Sequence, residues 1–97
     1  MSVLIVTGGS RGIGAATAIG AARRGWSVAV GYVSDEAAAG RVVAAIASEG
    51  SVARAIRADV GDPDDVARLF EAADAMGTLG GLVNNAGPVA IGRDPVF

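Results

Sequence analysis

The 97-residue sequence contains no cysteine, no histidine and no lysine; its eight positive charges are all arginine. Without cysteine there is no disulfide framework, no thiolate nucleophile and no sulfur-ligated zinc. Without histidine there is no Ser-His-Asp triad and no imidazole metal ligand. Without lysine there is no P-loop lysine, no Schiff base and no tyrosine–lysine proton-transfer pair. Long apolar runs are missing too. Val3 to Val6 is too short for a signal-peptide core or a membrane span, so the cytosol is the expected address. The net charge of −2 gives no long-range attraction for nucleic acid or anionic lipid, and neither is an expected partner.

What is present describes a globule. A hydrophobic content of 52% beside 19% charged residues is far from the disordered range, and the length fits one domain. Val3-Leu4-Ile5-Val6 reads as a strand buried on both faces. A glycine-rich turn, Gly8 to Gly14, leads into a helix from Ile13 to Arg24 that stops at Gly25. Ser27 to Tyr32 is a second strand, and Ser34 or Asp35 can cap a helix running to about Ser48. Val52 to Ala58 is a third strand, interrupted by Arg54 and Arg57, which suit a solvated edge. Asp62-Pro63-Asp64-Asp65 has the cap, proline and carboxylates of a helix start, and Val66, Leu69, Phe70 and Ala73 then define one apolar face. Gly80 to Asn84 is a short fourth strand. The order β-α-β-α-β-α-β predicts an α/β fold: one half of a Rossmann-type doubly wound parallel sheet, with helices on both faces.

Thr7-Gly8-Gly9-Ser10-Arg11-Gly12-Ile13-Gly14 lies directly after a buried strand and opens a helix. Backbone N–H groups at a helix N-terminus, with the helix dipole behind them, suit a phosphate. The common dinucleotide fingerprint G-x-G-x-x-G fails here, because Thr17 stands at its third glycine. The spacing Thr-Gly-x-x-x-Gly-x-Gly instead resembles that of the short-chain dehydrogenase/reductase family. Two further motifs carry the resemblance: Asp59-Val60 after the third strand, and Asn84-Asn85-Ala86-Gly87 ending the fourth. Together they span the chain from Ser2 to about Gly87.

The resemblance implies a bound NAD(P). Gly8, Ser10, Arg11, Gly12, Ile13 and Gly14 would wrap the pyrophosphate and adenosine ribose. Asp59 would accept a hydrogen bond from the adenine amino group, with Val60 beside it. Asn85, Ala86 and Gly87 would line the ribose and nicotinamide side, while Asn84 would tie the strand end to its neighbour. An acid at the end of the second strand selects NAD by bonding the ribose 2′-OH. Tyr32 stands there, and Arg11 and Ser34 could meet a 2′-phosphate, so NADP is the expected cofactor and NAD the second choice. Asp35, about 20 residues past the turn, competes as an NAD-selecting acid, against its plainer role as a helix cap.

Asp62, Asp64 and Asp65 suggest a magnesium site, but helix-start capping accounts for all three, and no metal is expected. Trp26 reads as a packing residue. The family's catalytic serine, tyrosine and lysine have no counterpart here, so this chain carries no catalytic residues. The resemblance therefore implies the N-terminal, cofactor-binding half of a longer homo-oligomeric oxidoreductase. That enzyme would act on a small carbonyl or secondary alcohol, with 3-oxoacyl or sugar-type substrates the nearest match. The alternative is a free-standing dinucleotide sensor or scaffold without chemistry.

Overall fold

The computed structural model describes residues 2–10 and 12–85. Among the described residues four strands and three helices alternate: β1 (Ser2–Thr7), α1 (Gly12–Arg23), β2 (Ser27–Tyr32), α2 (Glu36–Ser48), β3 (Ala53–Arg57), α3 (Pro63–Met76) and β4 (Thr78–Asn84). The strands form one parallel sheet in the order β3-β2-β1-β4. The central pair is buried almost without interruption, as strands covered on both faces must be. The expected doubly wound architecture is the one observed.

Two cores lie on opposite faces of the sheet. Leu4, Val6, Val28, Val30 and Tyr32 meet Ala18 and Ala22 of α1 and Ala39, Val42 and Ile46 of α2. On the other face Val3, Ile5, Ala29 and Ala58 meet Leu69 and Ala73 of α3. Helix α1 buries Gly14, Ala18 and Ala22, one small residue per turn. That stripe lets the helix backbone lie close to the sheet, which sets the distance between the glycine loop and the strand ends.

Strand β3 forms one edge, with Arg54 and Arg57 exposed, as their charge predicted. Strand β4 is the other edge and starts at Thr78, two residues earlier than the sequence suggests. The glycine pair, expected to open the strand, lies inside it. The ladder with β1 skips Gly80, passing from Val3–Leu79 to Leu4–Gly81. A Cβ on Gly80 would sit 2.8 Å from the Trp26 indole, and one on Gly81 would sit 3.0 Å from Leu4. Those glycines make room for side chains from the strand end and its neighbour, with a local irregularity as the result. Trp26 is the packing residue expected. The edge beyond it is apolar, and Leu82 is half exposed.

Candidate functional site

The described residues of all three motifs end up at the carboxyl edge of the sheet. The register pairs Thr7 with Gly31 and with Asn84, and Tyr32 with Arg57. Open parallel sheets bind ligands at this edge, in the crevice where connections leave to opposite faces.

The glycine loop is closed by requirements that differ at each position. Gly8 and Gly12 have φ of 63° and 58°, in the left-handed region that side chains with a Cβ avoid. Gly9 is pressed onto the sheet: its N–H donates to the Gly31 carbonyl at 3.1 Å, and an added Cβ would lie 3.1 Å from both Val30 and the Val6 carbonyl. At Gly14 a Cβ would fall 2.1 Å from the Gly8 carbonyl oxygen. The first turn of α1 contains no acidic residue, whereas α2 begins with Glu36 and α3 with Asp64 and Asp65. The dipole of α1 is therefore not offset by a carboxylate of its own first turn, and an anion suits it. Ser10 is half-buried, and Ile13 is 77% exposed on the rim.

Thr7 joins this loop to the end of β4. Its hydroxyl donates to Asn84 Oδ1 at 2.8 Å and accepts the Asn85 N–H at 3.0 Å. The same N–H also lies 3.1 Å from the Thr7 carbonyl. Asn84 thus ties the strand end to its neighbour, and Asn85 is held at the edge. Thr7 is 5% exposed, one of the few buried polar residues. Thr7 is not among the contacts expected from the sequence, although its place as the hydroxyl ending the apolar run Val3 to Val6 marks it.

At the end of β2 the Tyr32 ring is packed in the core and 9% exposed. Val33 and Ser34, the next two residues, are exposed. The acid nearest this point, Asp35, is engaged as the α2 cap, its carboxylate accepting the Ala38 N–H at 3.0 Å. Asp59 is exposed just beyond β3, with Val60 half-buried next to it. Arg11, Ala86 and Gly87 lie outside the described residues.

Two of the carboxylates at the start of α3 do different things. Asp62 caps the helix, accepting the Asp64 N–H at 2.9 Å. Asp65 instead reaches back and accepts the Asp59 N–H at 2.9 Å, while Arg68 donates to its other oxygen. Capping alone, the sequence-based account, does not cover Asp65. No group of three His, Cys, Asp or Glu residues that could hold a metal is found among the described residues.

The bond from the Asp59 amide, then the Arg68 guanidinium, holds the Asp65 carboxyl below the ordinary carboxylate range, with Arg57 adding a smaller pull. A carboxyl whose folded pKa is depressed stabilises the fold above the unfolded value of about 4, and loses that contribution as pH falls through the lower folded value. Replacing Asp65 by asparagine should therefore reduce the denaturation midpoint at pH 7 and have a smaller effect at pH 3. Urea melts of both proteins at the two pH values check this; an equal difference at both would contradict it.

The short chain dehydrogenase family model matches residues 2–95. Among curated proteins, a versicolorin reductase of Emericella nidulans is 47% identical over 92 residues, covering 94% of this chain and 35% of that protein. A 3-oxoacyl-[acyl-carrier-protein] reductase of Synechocystis is 44% identical over 86 residues, covering 88% of this chain and 35% of its own length. Among solved structures, a dehydrogenase/reductase of Sinorhizobium meliloti superimposes with a TM-score of 0.85 at 44% identity, over 89% of this chain and 34% of that one. The chain spans about a third of the length of the relatives it matches.

Proposed function

The chain belongs to the short-chain dehydrogenase family, and from that premise we propose that it forms the NADP(H)-binding part of an oxidoreductase acting on a carbonyl or secondary alcohol. The observation that carries this reading is the meeting of three loops on one sheet edge. The glycine loop is fixed there by the Gly9–Gly31 bond and the Asn84-Asn85 strand end by the Thr7–Asn85 bond, while the Asp59 turn follows Ala58, whose N–H donates to the Tyr32 carbonyl at 2.8 Å.

The residues present fit such a cofactor. The tight loop before α1, with no acid in the helix's first turn, suits the pyrophosphate. The exposure of Asp59 just beyond β3 supports its reading as the acceptor for the adenine amino group. When bound, the dinucleotide supplies or accepts the hydride; the chain's own residues hold and orient it. They supply no proton-transfer pair, since the sequence has no lysine and Tyr32 is buried in the core. The 97 residues by themselves are therefore expected to bind cofactor without turnover.

Preference for NADP rests on what stands at the end of β2. Tyr32 brings no charge, and Asp35 is occupied as a cap. The β2 end itself therefore carries no acid, and Arg11 in the glycine loop can pair with a 2′-phosphate. Relatives named as versicolorin and 3-oxoacyl reductases favour a carbonyl substrate. The half-exposed Leu82 on the β4 edge favours assembly or coverage on that side, in keeping with a homo-oligomeric enzyme.

Equilibrium titration with NADPH and NADH tests the reading. NADPH should bind more tightly, and Arg11→Ala should weaken NADPH about tenfold, the loss of one charge-assisted contact, while NADH changes little. Equal losses for both cofactors would remove the NADP assignment, and no binding of either would remove the function.

A further inference from the structure

Asp59 is held at three atoms. Its carbonyl accepts the Asp62 N–H at 2.9 Å, and its Oδ1 accepts the Gly61 N–H at 2.9 Å. Both bonds are made within the turn itself, so they shape the turn without fixing where it sits. The third bond is of another kind. The Asp59 N–H donates to Asp65 Oδ2 at 2.9 Å, and Asp65 belongs to the first turn of α3. That helix is packed on the sheet through Leu69 and Ala73, so Asp65 ties the turn to a rigid element.

The side chain is built for this task. Asp65 is 13% exposed, tucked under the turn, while its partner Arg68 is 58% exposed and reaches in from one turn further along the helix. Arg68 fills the carboxylate's second oxygen and so fixes its rotation. Helix capping does not need a carboxylate here, because Asp62 already serves as the cap.

We propose that Asp65 is a positioning residue for the adenine end of the dinucleotide site, acting through the Asp59 amide. The proposal rests on the reading of Asp59 as the adenine contact. A carboxylate acceptor selects one placement of the turn before ligand arrives, which removes an ordering cost from binding. Without it the Asp59 N–H turns to water, and the turn is left to hinge between Ala58 and Asp62.

The test compares Asp65→Ala and Asp65→Asn with the unaltered protein, using adenosine monophosphate and inorganic pyrophosphate as probes in NMR shift titrations. Asp65→Ala should raise the adenosine monophosphate dissociation constant about tenfold, the equivalent of one hydrogen bond to a charged group. Asp65→Asn should recover most of that affinity, because its amide oxygen can accept the same N–H. Pyrophosphate, which meets only the glycine loop, should bind all three proteins alike. Unchanged adenosine monophosphate binding in Asp65→Ala overturns the proposal, as does parallel loss of both probes. The two readings separate cleanly. An unaltered protein that binds NADPH, with no effect of Asp65→Ala, leaves the function standing and removes the positioning role; one that binds no dinucleotide removes both.

Discussion

Replacing Gly14 by alanine should weaken NADPH binding by about 10- to 100-fold and destabilise the fold by about 1–3 kcal/mol, an overpacking effect expressed at the binding loop. The added methyl would lie 2.1 Å from the Gly8 carbonyl oxygen and 2.9 Å from the Gly8 carbonyl carbon. Both are backbone atoms, so no rotamer change relieves the contact. Either α1 retreats from the sheet or the loop opens. A retreat is resisted by Ala18 and Ala22, which are buried in the core on the same helix face. The loop is then the part that moves, and with it the backbone N–H groups proposed to meet the pyrophosphate. Gly20→Ala is the matched control. Gly20 sits inside α1 with nothing within 4 Å of an added Cβ. It should stabilise the helix by about 0.5–1 kcal/mol through backbone entropy, with cofactor affinity unchanged. Paired thermal melts and NADPH titrations of the two variants check this. Equal behaviour of the two alanines would show that the loop's close approach has no role in binding.

Gly14 also shows how far the sequence could be followed. Its spacing from Gly8 and Gly12 marked a phosphate loop, because a left-handed turn and a close approach leave no other residue type suitable. Strand and helix identities were equally legible, since they depend on local periodicity: Leu69 and Ala73, read as part of one apolar face, are the residues α3 buries. Less legible was anything decided by a distant neighbour. Gly80 and Gly81 look like ordinary strand-opening residues until the Trp26 ring and the Leu4 side chain are seen to occupy the space. Thr7 looks like one more strand residue until Asn84 and Asn85 arrive beside it, 77 and 78 positions later in the chain. Asp65 looks like a redundant helix-start carboxylate until the turn after β3 folds back over it. In each instance the residue type was visible and its partner was not, because pairing across a parallel sheet is set by topology, not by spacing.

Leu69→Ala should have the largest effect on stability, about 2–5 kcal/mol, the range for a buried leucine cut back to alanine. Leu69 is 1% exposed, and its cluster with Val3, Ile5, Ala29, Ala58 and Ala73 is the smaller of the two cores. Helix α3 buries only Leu69 and Ala73, so Leu69 is the one large side chain that anchors it fully. Helix α2 buries Val42 and Ala39 as well as Ile46, and an Ile46→Ala change leaves those anchors in place. The two truncations should therefore differ in kind. Ile46→Ala should lower global stability while the helices open together. Leu69→Ala should let α3 open locally, at a cost below that of global unfolding, because little else is buried with it. Domains of this size have about 5–15 kcal/mol in total, so Leu69→Ala leaves a small margin. At about 4–8 °C per kcal/mol, its melting temperature should fall by at least about 10 °C. Hydrogen exchange separates the two outcomes. In Leu69→Ala, protection should be lost first along α3 and at the Asp59 amide, which Asp65 holds from that helix. Uniform loss of protection across all three helices would show instead that α3 is bound to the sheet as firmly as α2, and that the turn beyond β3 does not depend on this one contact.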